Sequence, residues 1–162
     1  MSEMAMDEGA RAPEGSKIKV NAVREGTVID HLVAGTALKV LRILGIENDR
    51  AVTIGLNLES KKMGRKDLIK IERHEVLPDE VRKIAIVSPN ATFSIIRDFR
   101  VVQKLSPTLP ESIENLLRCP NPSCVTNDDR VDTRFDVVRT DSLRLRCHYC
   151  ERMIRKDEIE LL

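Results

Sequence analysis

Four cysteines, all in the last third of the 162-residue chain, carry its plainest chemistry. Cys119 and Cys124 bound the run Cys-Pro-Asn-Pro-Ser-Cys, and Cys147 and Cys150 bound Cys-His-Tyr-Cys, with 22 residues between the pairs. Two short knuckles joined by a spacer of this size deliver four thiolates to one tetrahedral zinc ion. Four thiolates leave no open coordination position, so such a zinc is structural and not catalytic. The complex would be net negative, and Arg118, Arg146 and Arg152 flank the knuckles where they could offset that charge. The same ligands suit an iron centre. Two disulfides, Cys119–Cys124 and Cys147–Cys150, are the alternative in an oxidising compartment. His148, between two ligands, reads as a solvent-facing knuckle residue, since four thiols already complete the shell.

A second reactive pair is Asp30-His31, which the alternation upstream places in a loop after a first strand. Aspartate beside histidine invites a catalytic reading, that of a ferredoxin-like enzyme. No serine or cysteine nucleophile motif completes a triad, and no glycine-rich loop cradles a phosphate. A turn-capping aspartate beside a surface histidine is the plainer reading. Lys66 and Lys70 share one face of a predicted strand and, taken alone, are solubilising charge.

Charge separates these two sets of residues. Residues 1–16 are net −3, residues 17–110 net +6 and residues 111–162 net −2. An anionic ligand therefore belongs on the part without the cysteines. Zinc ribbons often bind nucleic acid, but this one lacks a basic footprint. With three Phe, one Tyr and no Trp, the chain also lacks stacking platforms for bases. No apolar run approaches the roughly 18 residues of a membrane span. The first 16 residues contain no apolar core of a secretory signal and read as a disordered acidic tail. The expected compartment is the reducing cytoplasm.

The elements that must position these groups follow from periodicity. Lys17–Val23 alternates as a half-buried strand, which Gly26 should break. Ala37, Val40, Leu41 and Leu44 form a helical stripe, with Gly45 placed to end the helix. Val52, Ile54, Leu56 and Leu58 form a second alternating strand, and residues 59–64 a turn. A third strand runs from Arg65 to Glu72. Pro78, Asp79 and Glu80 open a second helix whose inner side is Val81, Ile84 and Ala85. Two β-rich runs follow, Thr92–Arg97 and Phe99–Lys104, bent at Asp98. This order predicts an α+β fold: a ferredoxin-like antiparallel sheet with two helices on one face. Prolines 107 and 110 interrupt the pattern. Three parts result: an acidic tail over 1–16, a ligand-binding domain over 17–105, and a small β-rich zinc domain over 106–162. Phe135, Val137 and Val138 are candidates for the small domain's core, and the metal would supply much of its folding free energy.

Several longer segments together resemble one family. They are Arg-Glu-Gly-Thr-Val-Ile-Asp-His (24–31), Thr-Ile-Gly-Leu-Asn-Leu (53–58), Met-Gly-Arg-Lys-Asp-Leu-Ile-Lys-Ile-Glu (63–72), Leu-Pro-Glu-Ser-Ile-Glu-Asn (109–115) and the two cysteine knuckles. The likeness is to the regulatory chains of aspartate carbamoyltransferase and covers about residues 17 to 162. It implies a non-catalytic subunit that binds CTP as inhibitor and ATP as competing activator of pyrimidine synthesis. Its zinc domain would dock on the catalytic chain. Regulatory chains would pair through their N-terminal domains, in an assembly of six catalytic and six regulatory chains.

Residue by residue, the resemblance implies that Asp30 accepts a hydrogen bond from the ribose. His31, Lys66 and Lys104 would meet the triphosphate, and Lys70 the base and ribose. Val20, Ala22 and Val23 would meet the base edge, with Ile96, Phe99 and Val101 on the other wall. Cys119, Cys124, Cys147 and Cys150 would hold the zinc. Ser94 stands where the family pattern has asparagine, Phe99 where it has tyrosine, and Asn21 where it has an acid, so effector preference could differ.

Overall fold

The computed structural model describes residues 22–46, 49–128 and 131–162. The expected acidic tail, Val20, Asn21 and most of the strand expected at Lys17–Val23 lie outside the described residues.

The described chain begins its first sheet with β1 (Gly26–Val33), followed by α1 (Ala37–Ile43), β2 (Val52–Ser60), β3 (Gly64–Glu72), α2 (Pro78–Val87), β4 (Thr92–Arg97) and β5 (Arg100–Leu105). The strands form one sheet in the order β2-β3-β1-β4-β5, with every neighbouring pair antiparallel. This is the expected ferredoxin-like arrangement, its last strand doubled by a turn at Asp98 and Phe99, both at positive φ. Both helices pack on the same apolar side. Ile29, Leu32, Ile69, Ile71, Phe93 and Ile95 from the strands meet Ala37, Val40, Val81 and Ile84 from the helices in one buried core.

Two local expectations are corrected. Gly26 opens β1 and does not break a strand, and Ala22 and Val23 precede the strand. Gly26 has φ +144°, and a Cβ there would fall on the Ile71 carbonyl oxygen, so only glycine lets β1 lie against β3 at this point. Asp30-His31 is not a loop but a bulge inside β1, where the register with β3 shifts between Ile29 and Leu32. The inward positions run Thr27, Ile29, Leu32, so one extra residue defeats the period of two on which the loop reading rested.

β2 departs as well. It lies at the sheet edge and carries a second bulge, between Gly55 and Leu58. Val52 packs on the core, but Ile54, Leu56 and Leu58 are exposed, against the single inward face expected. Gly45, at φ +57°, follows α1 as its left-handed C-terminal residue. Pro78 begins α2, with Asp79 and Glu80 in its first turn.

After Leu105, Ser106–Pro110 carry no regular structure. The remainder contains β6 (Ser112–Glu114), β7 (Leu117–Arg118), one helical turn α3 (Val125–Asp128), β8 (Arg134–Arg139), β9 (Arg144–Cys147), β10 (Met153–Arg155) and β11 (Glu160–Leu161). A four-stranded sheet β10-β9-β8-β6 stands beside the pair β11-β7. Phe135 is fully buried and Val137 packs against the same cluster. Val138 is exposed, contrary to expectation, because the β8–β9 register slips after Val137. Leu117, Leu145 and Ile154 complete this second core. Ile86 of α2 joins it and is 2% exposed. Helix α2 is therefore buried on two sides: Ile84 and Val87 face the first core while Ile86 faces the second.

Candidate metal centre and anion-binding face

The four cysteines converge. Their Sγ atoms all lie within 4.8 Å of one another, and Cys119, Cys124 and Cys147 are buried. Four sulfurs around one zinc at about 2.3 Å stand about 3.8 Å apart in a tetrahedron. The contacts between knuckles are Cys119–Cys150 at 3.6 Å and Cys124–Cys147 at 3.8 Å. These separations fit a closed, structural zinc site, with all four thiols free to serve as ligands.

Each knuckle is set by its own backbone. Asn127 Nδ2 donates to the carbonyls of Cys119 and Asn121 at 2.9 and 2.8 Å, and Cys124 N–H donates to Asn121 O at 3.0 Å. In the second knuckle Glu151 N–H returns to Cys147 O at 3.0 Å, with Glu151 at positive φ. Thr126 Oγ1 donates to the Cys124 sulfur at 3.2 Å. Burial pushes the Cys119 and Cys147 thiols up. Burial opposes ionisation of Cys150 too, but hydrogen bonds from the Asn121 side chain and the Arg152 backbone outweigh it and lower the thiol to about 6. The Cys150 thiolate forms easily while Cys119 and Cys147 resist, which is the imbalance that a central dication removes. His148 is exposed and outside the sulfur cluster. The flanking arginines are engaged by carboxylates. Arg118 pairs with Glu160, Arg146 with Asp136 and Arg152 with Glu158, because carboxylates lie beside them on neighbouring segments.

The second set of candidates occupies the sheet face opposite the helices. The β1 bulge turns Asp30 toward β3, where Lys66 Nζ lies 2.8 Å from Oδ1 and 3.0 Å from Oδ2. The His31 backbone N–H donates to Asp30 Oδ1 at 2.6 Å. Burial opposes ionisation of Asp30, but Lys66 and this N–H together hold its carboxyl below the usual range. His31 Nδ1, 3.8 Å from Asp30, is buried with no hydrogen-bond partner among the described residues.

Strand register aligns the rest. Lys70 stands opposite Val28, Val28 opposite Ser94, and Ser94 opposite Lys104, so one row crosses β3, β1, β4 and β5. At an interstrand spacing of about 4.8 Å this row spans about 14 Å. Ile96 pairs with Val101 at one end of the face, and Phe99, 63% exposed, projects from the β4–β5 turn. Ala22 is exposed and Val23 is buried.

Sequence reasoning missed Asp67, the residue after Lys66 on the inward side of β3. The available signal was an acid at an inward position of an otherwise apolar alternation with Ile69 and Ile71.

Comparison with known proteins finds two family models that match successive parts of the chain. The model for the aspartate carbamoyltransferase regulatory chain, allosteric domain, matches residues 18–108. The model for the metal binding domain of the same chain matches residues 111–160. The chain belongs to the aspartate carbamoyltransferase regulatory chain family. Regulatory chains from Pyrococcus abyssi, Methanopyrus kandleri and Methanothermobacter thermautotrophicus are 49%, 47% and 45% identical to it. The alignments cover 89%, 90% and 89% of this chain and 97%, 95% and 94% of the relatives. Members of this family are regulatory and not catalytic chains, and the four-cysteine cluster is its metal-binding element. No described helix is long and apolar enough to cross a membrane.

Proposed function

We propose that this chain senses nucleoside triphosphates for aspartate carbamoyltransferase, with CTP as inhibitor and ATP as activator, and transmits the signal to catalytic trimers. The observation that carries this reading is the row of Lys70, Ser94 and Lys104 beside the Asp30–Lys66 pair and the unpartnered His31 nitrogen. Lysines supply point charges with rotatable donors suited to phosphates, and an ionised carboxylate accepts from ribose hydroxyls. His31 Nδ1 is buried beside Asp30 with a hydrogen-bonding capacity that no described protein group fills. In this reading residues 17–105 bind effector and residues 106–162 dock on the catalytic chain.

The zinc holds the docking unit together and takes no part in chemistry. Pairing between regulatory chains is supported by the unpaired β2 edge, where Leu56 is 54% exposed beside Ile54 and Leu58. A long apolar edge of this kind invites a second strand. We place the assembly, six catalytic and six regulatory chains, in the cytoplasm. Nucleic acid is not among the ligands: Arg134, Arg139 and Arg146 on β8 and β9 are paired with carboxylates.

Effector action requires different affinity for two quaternary states. The test is aspartate saturation of the catalytic chain with and without this chain, titrated with CTP and ATP. CTP should raise the aspartate concentration at half-saturation and ATP should lower it. Unchanged saturation curves would overturn the reading.

A further inference from the structure

Asp67 is 0% exposed, and its carboxylate accepts three backbone N–H groups from two separate stretches of chain. Oδ2 accepts from Gly35 at 2.8 Å and from Ala37 at 3.1 Å, while Oδ1 accepts from Asn57 at 2.9 Å. Ala37 is the first residue of α1, whose N–H has no partner within the helix. Asn57, at φ +54°, lies within the β2 bulge, where the ladder is interrupted. Gly35 is in the turn that leaves β1. Asp67 itself stands opposite Leu32, the first residue back in register after the Asp30-His31 bulge.

Lys66 precedes Asp67 and so projects to the opposite face. Its two strand partners are Val33 and Leu58. Val33 is two residues from the Gly35 amide and Leu58 one residue from the Asn57 amide, both of which Asp67 holds. We propose that Asp67 is a positioning residue for the anion-binding face. From beneath the sheet it locks the two bulged strands on either side of Lys66, and so sets where Lys66, Asp30 and His31 stand. This rests on the nucleotide reading above for its consequence, though not for its geometry.

The test uses the full-length, zinc-loaded chain, its Asp67→Asn variant and a comparator, Ile69→Val, which loosens the same strand without touching these amides. Asparagine keeps the shape but offers one acceptor and two new donors to three N–H groups. In Asp67→Asn the ligand-free NMR signals of the His31 ring and the Lys66 side chain should shift, and CTP affinity measured by calorimetry should fall roughly tenfold. Ile69→Val should do neither at a comparable loss of Tm. The proposal is overturned if the His31 and Lys66 signals stay put in Asp67→Asn, or move equally in Ile69→Val. A parent chain that fails to bind CTP would defeat the nucleotide reading, while the ligand-free signals still decide the role of Asp67. Should Asp67→Asn not fold, hydrogen exchange in the parent decides. Gly35 and Asn57 amides protected like those of β3 support the proposal, and exchange at the rate of open turns overturns it.

Discussion

Asp30 meets opposing demands on the proposed sensing face. It neutralises part of the positive charge of Lys66 and keeps an ionised acceptor beside Lys66 and the His31 ring. Its carboxyl lies below the ordinary value of 3.8 in the folded chain. A lowered folded value means that the interaction stabilises the fold above the unfolded value and is lost as pH falls through the folded one. Urea unfolding should therefore find the parent more stable than Asp30→Asn by about 1 kcal/mol at neutral pH. The gap should close as pH drops below 3.8. An equal gap at both ends of the range would show that Asp30 stabilises by shape alone. At this scale the residue types were readable but their pairing was not. Lys66 and Asp30 are 36 positions apart, and only strand register makes them neighbours.

Strands shape the proposed sensing face through their irregularities. Regular alternation would have sent His31 inward; the bulge in β1 and the bulge in β2 flank β3 and re-aim the residues around Lys66. Gly26 is the entry condition for the same strand, because any side chain there meets the Ile71 carbonyl. Gly26→Ala should cost about 3 kcal/mol or more, since it combines an unfavourable φ with a backbone clash. Thermal unfolding checks this; a loss within 0.5 kcal/mol (about the size expected at a tolerant surface site) would mean that β1 and β3 can separate there. The helices were legible in the sequence because Gly45 and Pro78 mark their ends with backbone chemistry. The bulges were not, because an extra residue in a strand leaves no compositional mark.

The two halves of the molecule meet on α2. Ser88, fully buried at its end, accepts the Val33 N–H at 2.7 Å through Oγ and so ties the helix to the strand that carries Asp30 and His31. Two residues earlier, Ile86 enters the core around the cysteines. Removing zinc leaves four buried or half-buried thiols without their common partner and should unfold the small unit first. Chelation should release this chain from the catalytic chain while CTP still binds, as sedimentation and calorimetry can follow. Simultaneous loss of both would mean that Ile86 makes the two cores one folding unit. Cysteine spacing alone pointed to a four-thiolate metal site, because ligand count and knuckle length are local properties of the chain. Charge distribution alone directed the proposed anion to the other half, because net charge needs no coordinates. Only the tertiary structure decided which groups touch, since two bulges, one strand register and a helix shared between cores depend on contacts far apart in the chain. Asp67 is the clearest case: its three partners lie 32, 30 and 10 residues away, and nothing local announces them.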